Sequence, residues 1–297
     1  ILASNKKIFL VPAMNVRMWE HPSNQKNINN LREYGYKIIG PGIGDMACGE
    51  YGSGKMTEPS EIFQYVENYF KQLRRNNNLK ALVTAGPTRE YLDPVRYISN
   101  ESSGKQGYEI ALALNRLGVK TTLVTGPSNI VHHKGIKIKK VTTADEMLSE
   151  VKKSLPVDVA ICAAAVSDFK PVKKYKNKLK KSKIELNNVN LKKNKDIVEY
   201  LGKNNKHRPK FVVGFSAETD NLIENSINKL KSKNCDLIVA NDVSKKNIGF
   251  NSDYNQVSII DTNENIQLIR KNKKSFIANK IAEIVLDKLL IDEPNYN

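Results

Sequence analysis

The chain has 297 residues and 40% hydrophobic residues, enough to bury a sizeable core in one or two domains. Its formal charge of +17 comes from lysines spread along the whole chain, without the interleaved aromatics of a base-stacking platform; this argues against a nucleic-acid partner and for small polyanions. No apolar run approaches the roughly 20 residues that span a bilayer, and three widely separated cysteines imply neither a disulfide framework nor a close-spaced zinc pair, so a cytoplasmic, reducing setting is expected.

In chain order, residues 6–12 ("KKIFLVP") and 36–40 ("YKIIG") read as short strands around a polar helical segment from about Asn24 to Tyr34. The glycine-rich "GPGIGDMACGEYGSGKM" is too flexible for a helix and too patterned for a linker. Residues 59–73 open on Pro59 and carry Ile62, Phe63, Val66 and Phe70 at helical spacing. The polar "RRNNN" at 74–78 reads as a boundary, which divides the chain into a domain at 1–73, a linker at 74–79 and a domain at 80–292.

From Lys80 the periods alternate. "KALVTAG", "KTTLVTG", "VDVAICAAAV", "KFVVGFSAE" and "CDLIVAND" read as strands; Gly107 to Leu117, "TADEMLSEVKKSL", "NLIENSINKLKSKN" and Lys274 to Leu290 read as helices; "QVSIIDT" and "NIQLIRK" read as a hairpin. Near-continuous Val, Ile and Ala strands separated by helices predict an α/β, doubly wound, mostly parallel sheet, with ligands beyond the carboxyl ends of its strands. The loop "TAGPTREYLDPVRYISNESSGKQG" at 84–107 is unusually long for such a connection. It meets neither the Rossmann nor the P-loop spacing, yet "SSGKQG" at a helix start offers N–H groups to an anion.

That loop, followed by "AAAVSDF", "KNKLKK", "KNKDIV", "VGFSAET", "LIVANDVS" and "GFNSD", resembles phosphopantothenoylcysteine synthetase. "VPAMNVRMW" and "GDMACGEYGSGKM" resemble the tail of phosphopantothenoylcysteine decarboxylase. Together the motifs resemble the bifunctional coenzyme A biosynthesis family over nearly the whole chain, with a Rossmann-like synthetase domain behind the carboxyl-terminal part of a flavoprotein-type α/β domain.

The resemblance implies a phosphopantothenate–cysteine ligase that uses CTP and Mg2+ or Mn2+: an acyl-cytidylate forms with release of pyrophosphate, and the amine of cysteine then displaces CMP. It implies that Asn100 orients the acyl phosphate and that Arg96 serves the same site. Ala165 leaves room for the nucleotide, and Asp168 binds CTP and its cation. Lys195, Asp196 and Ile197 lie near the triphosphate, although this chain has Lys195 where the family usually has proline. Phe215 lines the pocket, Lys229 and Lys233 contact phosphates, and Ala240 to Asp242 helps recognise cytosine. Lys178, in the basic run reaching Lys181, implies a mobile flap needed for amine attack. Without the resemblance each residue has a plainer reading: an Asx turn for Asn100, a surface ion pair for Arg96, a turn for Asp168, core for Phe215 and solvated surface for the lysines.

For the first domain the resemblance implies that Asn15 binds the substrate carboxylate and that Cys48 donates a proton in an FMN-dependent decarboxylation. The chain starts without Met, and the family's flavin-binding sequence and catalytic histidine are expected upstream of it. By itself, then, the chain is expected neither to bind FMN nor to decarboxylate, and a homodimer through the synthetase domain is expected, within a larger assembly in the full-length family. Two other readings stand beside the ligase: an NAD(P)-binding oxidoreductase over 80–170, and a non-catalytic assembly fragment.

Overall fold

The computed structural model describes residues 7–130, 135–180, 188–203, 206–244 and 252–291. The chain forms two compact units, one reaching Arg75 and the other starting at Asn76.

The first unit contains β1 (Phe9–Leu10), α1 (Val16–Glu20), α2 (Pro22–Glu33), β2 (Lys37–Ile38), β3 (Gly42–Asp45), β4 (Tyr51–Lys55) and α3 (Pro59–Asn76). β1 and β2 pair in parallel, while the glycine-rich stretch folds into the antiparallel hairpin β3–β4. Glycine is required at position 54, where φ is +141° and a Cβ would stand 2.2 Å from the Met14 carbonyl oxygen. That close approach lets the segment before α1 hydrogen-bond to the hairpin through Met14 N–H and Gly54 O at 2.9 Å. Residues 74–76, expected in a linker, continue α3. Asn76 is fully buried and donates to the Leu117 carbonyl at 2.8 Å.

The second unit contains β5 (Lys80–Ala85), β6 (Glu90–Tyr91), β7 (Tyr97–Ile98), α4 (Lys105–Arg116), β8 (Lys120–Thr125), β9 (Lys137–Lys140), α5 (Ala144–Ser154), β10 (Val159–Cys162), β11 (Phe169–Pro171) and β12 (Leu191–Lys193). It continues with α6 (Ile197–Gly202), β13 (Phe211–Glu218), α7 (Leu222–Lys233), β14 (Leu237–Asp242), β15 (Tyr254–Asp261), β16 (Ile266–Lys273) and α8 (Lys274–Ile291). Eight strands form one sheet in the order β16-β15-β14-β13-β10-β5-β8-β9; the pairs β14–β15 and β15–β16 are antiparallel and the others parallel. The expected doubly wound, mostly parallel sheet is therefore present.

Its two faces follow from strand alternation. Val83, Ile161, Val213 and Val239 pack toward α4 and α8, whereas Leu82, Ala160, Val212 and Ile238 pack toward α5, α6 and α7. Thr143 and Glu146 close a reciprocal capping box at the start of α5. Buried Glu90 from the 84–107 loop also accepts from Ala144 N–H at 2.8 Å.

Candidate functional site

The loop at 84–107 explains its own length. Gly86 and Gly104, both in the left-handed region at φ 74° and 75°, come together, and a Cβ on Gly104 would lie 3.1 Å from Gly86 Cα. Gly107 in α4 passes over β5 so closely that a Cβ would lie 2.7 Å from that of Ala85. Three glycines thus rebuild the tight strand-to-helix turn of a nucleotide fold, with residues 87–103 inserted between its halves. The insert holds the antiparallel pair β6–β7 and returns over the carboxyl ends of the central strands.

There it interlocks with two other loops. Ala165 N–H donates to Gly86 O at 2.9 Å, and Ser167 N–H donates to the buried Thr88 hydroxyl at 3.0 Å. The side-chain amide of Asn100 donates to Val166 O at 2.9 Å, which sets Asn100 beside the turn carrying Ala165 and Asp168. Asn194 completes the arrangement from the segment before α6: its backbone N–H donates to Asp168 O and its side chain to Ser167 O, each at 2.8 Å. Asn100, Ala165, Asp168 and Lys195 therefore gather at one edge, and Asn100, Asp168 and Lys195 are exposed there.

Other expected residues are arranged differently. Arg96 is engaged by Asp93, with Nε at 2.9 Å and Nη2 at 2.7 Å from Oδ2, and Nη2 also donates to Leu179 O at 2.7 Å. Asp196 caps α6 by accepting from Glu199 N–H, and Ile197 is core. Lys233 bridges the Asp196 and Glu199 carboxylates at 3.1 and 3.2 Å; burial alone would lower its pKa, but these partners raise it. Lys229, one turn before Lys233, is partly buried near the thiols of Cys162 and Cys235. Burial pushes both thiols up, that of Cys235 to about 12, so they serve as packing rather than as nucleophiles. Phe215 is half-buried against the core. Lys178 is exposed, whereas its neighbour Leu179 is buried and hydrogen-bonded in both directions, so the start of the expected flap is anchored to the fold. Lys181 lies outside the described residues.

Asn241, at the end of β14, is 8% exposed and its Oδ1 has no hydrogen-bond partner among the described residues. An orphaned buried acceptor is costly unless a ligand donor reaches it. Sequence reasoning missed Lys274, which is 4% exposed at the start of α8 beside the amino end of α4. Its pKa is lowered by burial first and by Lys105 second. Gln106 adds a buried Oε1 without a partner among the described residues, and Lys105 pairs with Asp253 at 2.5 Å. The only sequence sign of Lys274 is a lysine opening a helix, which cannot be told from solvated surface.

Among the described residues no group of three or more His, Cys, Asp or Glu side chains could hold a metal. The single exposed carboxylate of Asp168 fits a different arrangement, in which Mg2+ arrives with phosphates and takes one protein ligand. No helix among the described residues is long and apolar enough to cross a membrane.

In the first unit the side-chain amide of Asn15, the N-cap of α1, lies 3.3 Å from Cys48 Sγ and 2.5 Å from Glu50 Oε2. The structure thus brings together the two residues expected to act on one substrate. The Glu50 carboxylate that accepts from Asn15 also pairs with Arg17 at 3.1 Å.

The DNA/pantothenate metabolism flavoprotein C-terminal domain family matches residues 76–289, and the flavoprotein family matches residues 1–71. A coenzyme A biosynthesis bifunctional protein CoaBC from Haemophilus influenzae is 41% identical over 96% of this chain and 70% of its own length. A cysteine/cysteine sulfinic acid decarboxylase from an unknown prokaryotic organism is 38% identical over 96% of this chain and 80% of its own length. Among solved structures, the C-terminal domain of a CoaBC protein is 33% identical and superimposes with a TM-score of 0.61, covering 73% of this chain and 100% of that domain.

Proposed function

The chain belongs to the family of bifunctional coenzyme A biosynthesis proteins, ligase and decarboxylase in one, and from that premise we propose that its second unit joins phosphopantothenate to cysteine at the expense of CTP. The observation that carries this reading is the interlock of Asn100, Ala165, Asp168 and Asn194 at the carboxyl ends of β5 and β10. Such a site suits a reaction whose catalysis is chiefly positioning and charge stabilisation.

In the first step the phosphopantothenate carboxylate attacks the α-phosphorus of CTP; a carboxylate–phosphorus bond forms and pyrophosphate leaves. In the second, the amine of cysteine attacks the acyl carbon, a C–N bond forms, a proton is lost and CMP departs. Asn100 holds the acyl phosphate through its amide, and Lys178 supplies positive charge to the departing CMP phosphate. The amino end of α4, with Lys105 and Lys274 near it, is a cationic seat for the outer phosphates. Lys229 and Lys233 serve the nucleotide from α7. Asn241 Oδ1 is an acceptor suited to the exocyclic amine of cytosine, which favours CTP over UTP. Asp168 is the residue that would hold a divalent cation arriving with the triphosphate, which would supply neutralising charge there.

In the first unit, Asn15 holds the carboxylate of the cysteinyl product and Cys48 lies beside it as the proton donor. The test of the ligase is an assay with CTP, phosphopantothenate and cysteine that follows pyrophosphate and CMP. Pyrophosphate release should need only the first two substrates, and CMP release should need cysteine. Product formation without CTP, or CMP release that ignores cysteine, refutes the reading.

A further inference from the structure

Asp93 is the most completely enclosed carboxylate of the second unit outside the residues assigned above, and its contacts converge on one point. Its side chain is 0% exposed. Oδ1 accepts from Val95 N–H at 2.8 Å and from Arg96 N–H at 2.9 Å, which closes the turn after β6. Oδ2 accepts from the Arg96 guanidinium and, across 86 positions of sequence, from Leu179 N–H at 3.2 Å. The same guanidinium donates to Leu179 O, so both backbone polar groups of Leu179 are held by one ion pair. A second tie lies four residues earlier, where Tyr175 N–H donates to Leu92 O at 2.8 Å, and the Leu179 side chain is buried.

A carboxylate deprived of water is retained only where donors replace its hydration, and here the donors select one short segment. That segment carries Lys178, whose own side chain is exposed and makes no hydrogen bond to a described residue. Resting on the ligase reading above, we infer that Asp93, acting through Arg96, is a positioning residue that fixes the backbone at Leu179 and thereby aims Lys178 at the acyl-cytidylate. Asp93 touches no reactant. Its effect is confined to the half-reaction that needs Lys178, and the ion pair of Arg96 is part of this support rather than a phosphate grip.

The experiment uses the full chain carrying Asp93→Asn, with Leu179→Ala as a second variant that leaves the ion pair intact and removes the buried anchor. Single-turnover kinetics separate the steps: pyrophosphate release should stay within about twofold of the parent, while ligation falls at least about tenfold, the scale of a lost charge-assisted hydrogen bond. In the background of Lys178→Gln, adding Asp93→Asn should slow ligation no further, since both changes act through one side chain. Equal loss of the two half-reactions, or full additivity in the double variant, overturns the inference. Amide hydrogen exchange provides a readout independent of the chemistry: Asp93→Asn should speed exchange at Leu179 and Tyr175 at least about tenfold and leave the central strands protected. Unchanged exchange there overturns the anchoring. If the parent forms no acyl-cytidylate, the ligase reading fails while the exchange result still decides the anchor.

Discussion

Gly126, just after β8, makes the tightest approach of any glycine among the described residues. A Cβ built there would stand 1.7 Å from the Pro87 carbonyl oxygen and 2.8 Å from its carbon, where real Cβ contacts essentially never fall below 3.0 Å. In Gly126→Ala, Pro87 must retreat by more than about 1 Å, and backbone cannot yield as a flexible side chain does. Overpacking of this kind costs about 1–3 kcal/mol. Pro87 also bridges to Ala165, so the hydrogen bonds Ala165 N–Gly86 O and Thr88 N–Ala165 O are strained as well. Adding about 1 kcal/mol for the bonds lost gives a total of about 2–4 kcal/mol. At roughly 2–4 °C per kcal/mol for a domain of this size, the melting temperature of the second unit should fall by about 5–15 °C. Because Pro87 begins the insert that leads to Asn100, the folded variant should also bind CTP more weakly in a calorimetric titration. A variant that melts within about 2 °C of the parent and binds CTP equally would refute the claim that these loops form one rigid support.

Asn100→Ala should retain CTP affinity but slow use of the activated acyl group at least about tenfold, in keeping with loss of a charged-group hydrogen bond; rapid-quench measurement of acyl-cytidylate decay checks this, and equal losses in binding and turnover would assign Asn100 to the nucleotide. Acid should weaken the second unit through two carboxylates. For Asp93 burial opposes ionisation, but N–H donors from Val95, Arg96 and Leu179 with the Arg96 guanidinium prevail and hold its pKa at about 2; Lys139 and Lys153 hold Glu150 at about 2. Both folded values are depressed, so their stabilisation is full above the ordinary values of 3.8 and 4.5 and is lost as pH falls toward about 2. Denaturant midpoints measured across that window should decline less in Asp93→Asn and Glu150→Gln than in the parent.

The parallel sheet was legible because buried strands are written as unbroken Val, Ile and Ala runs, and α5 because "TADEMLSEVKKSL" carries apolar residues at helical spacing. The short pairs were not: β6, β7, β11 and β12 have two or three residues each, too few to show a period. β9, "KIKK", reads as a lysine surface because only tertiary pairing makes it a strand. At the site, Asn100 and Asp168 stood out through family motifs, and spacing alone would have left them as turns. Asp93 carried a local sign, Asp-Pro followed by a return to β structure, which is good turn chemistry. Nothing local could show that its carboxylate reaches Leu179, since that contact depends on how two distant loops meet.

Among the described residues the sheet ends on two borders without a further strand, β9 on one side and β16 on the other. Lys137 and Lys140 line the first; Arg270 and Lys271 line the second. Open strand borders invite sticking between molecules, and clustered like charges repel an approaching copy. Part of the lysine excess that first suggests a polyanion partner therefore works as a fence, and replacing these side chains by threonine would expose the sheet to growth from either border.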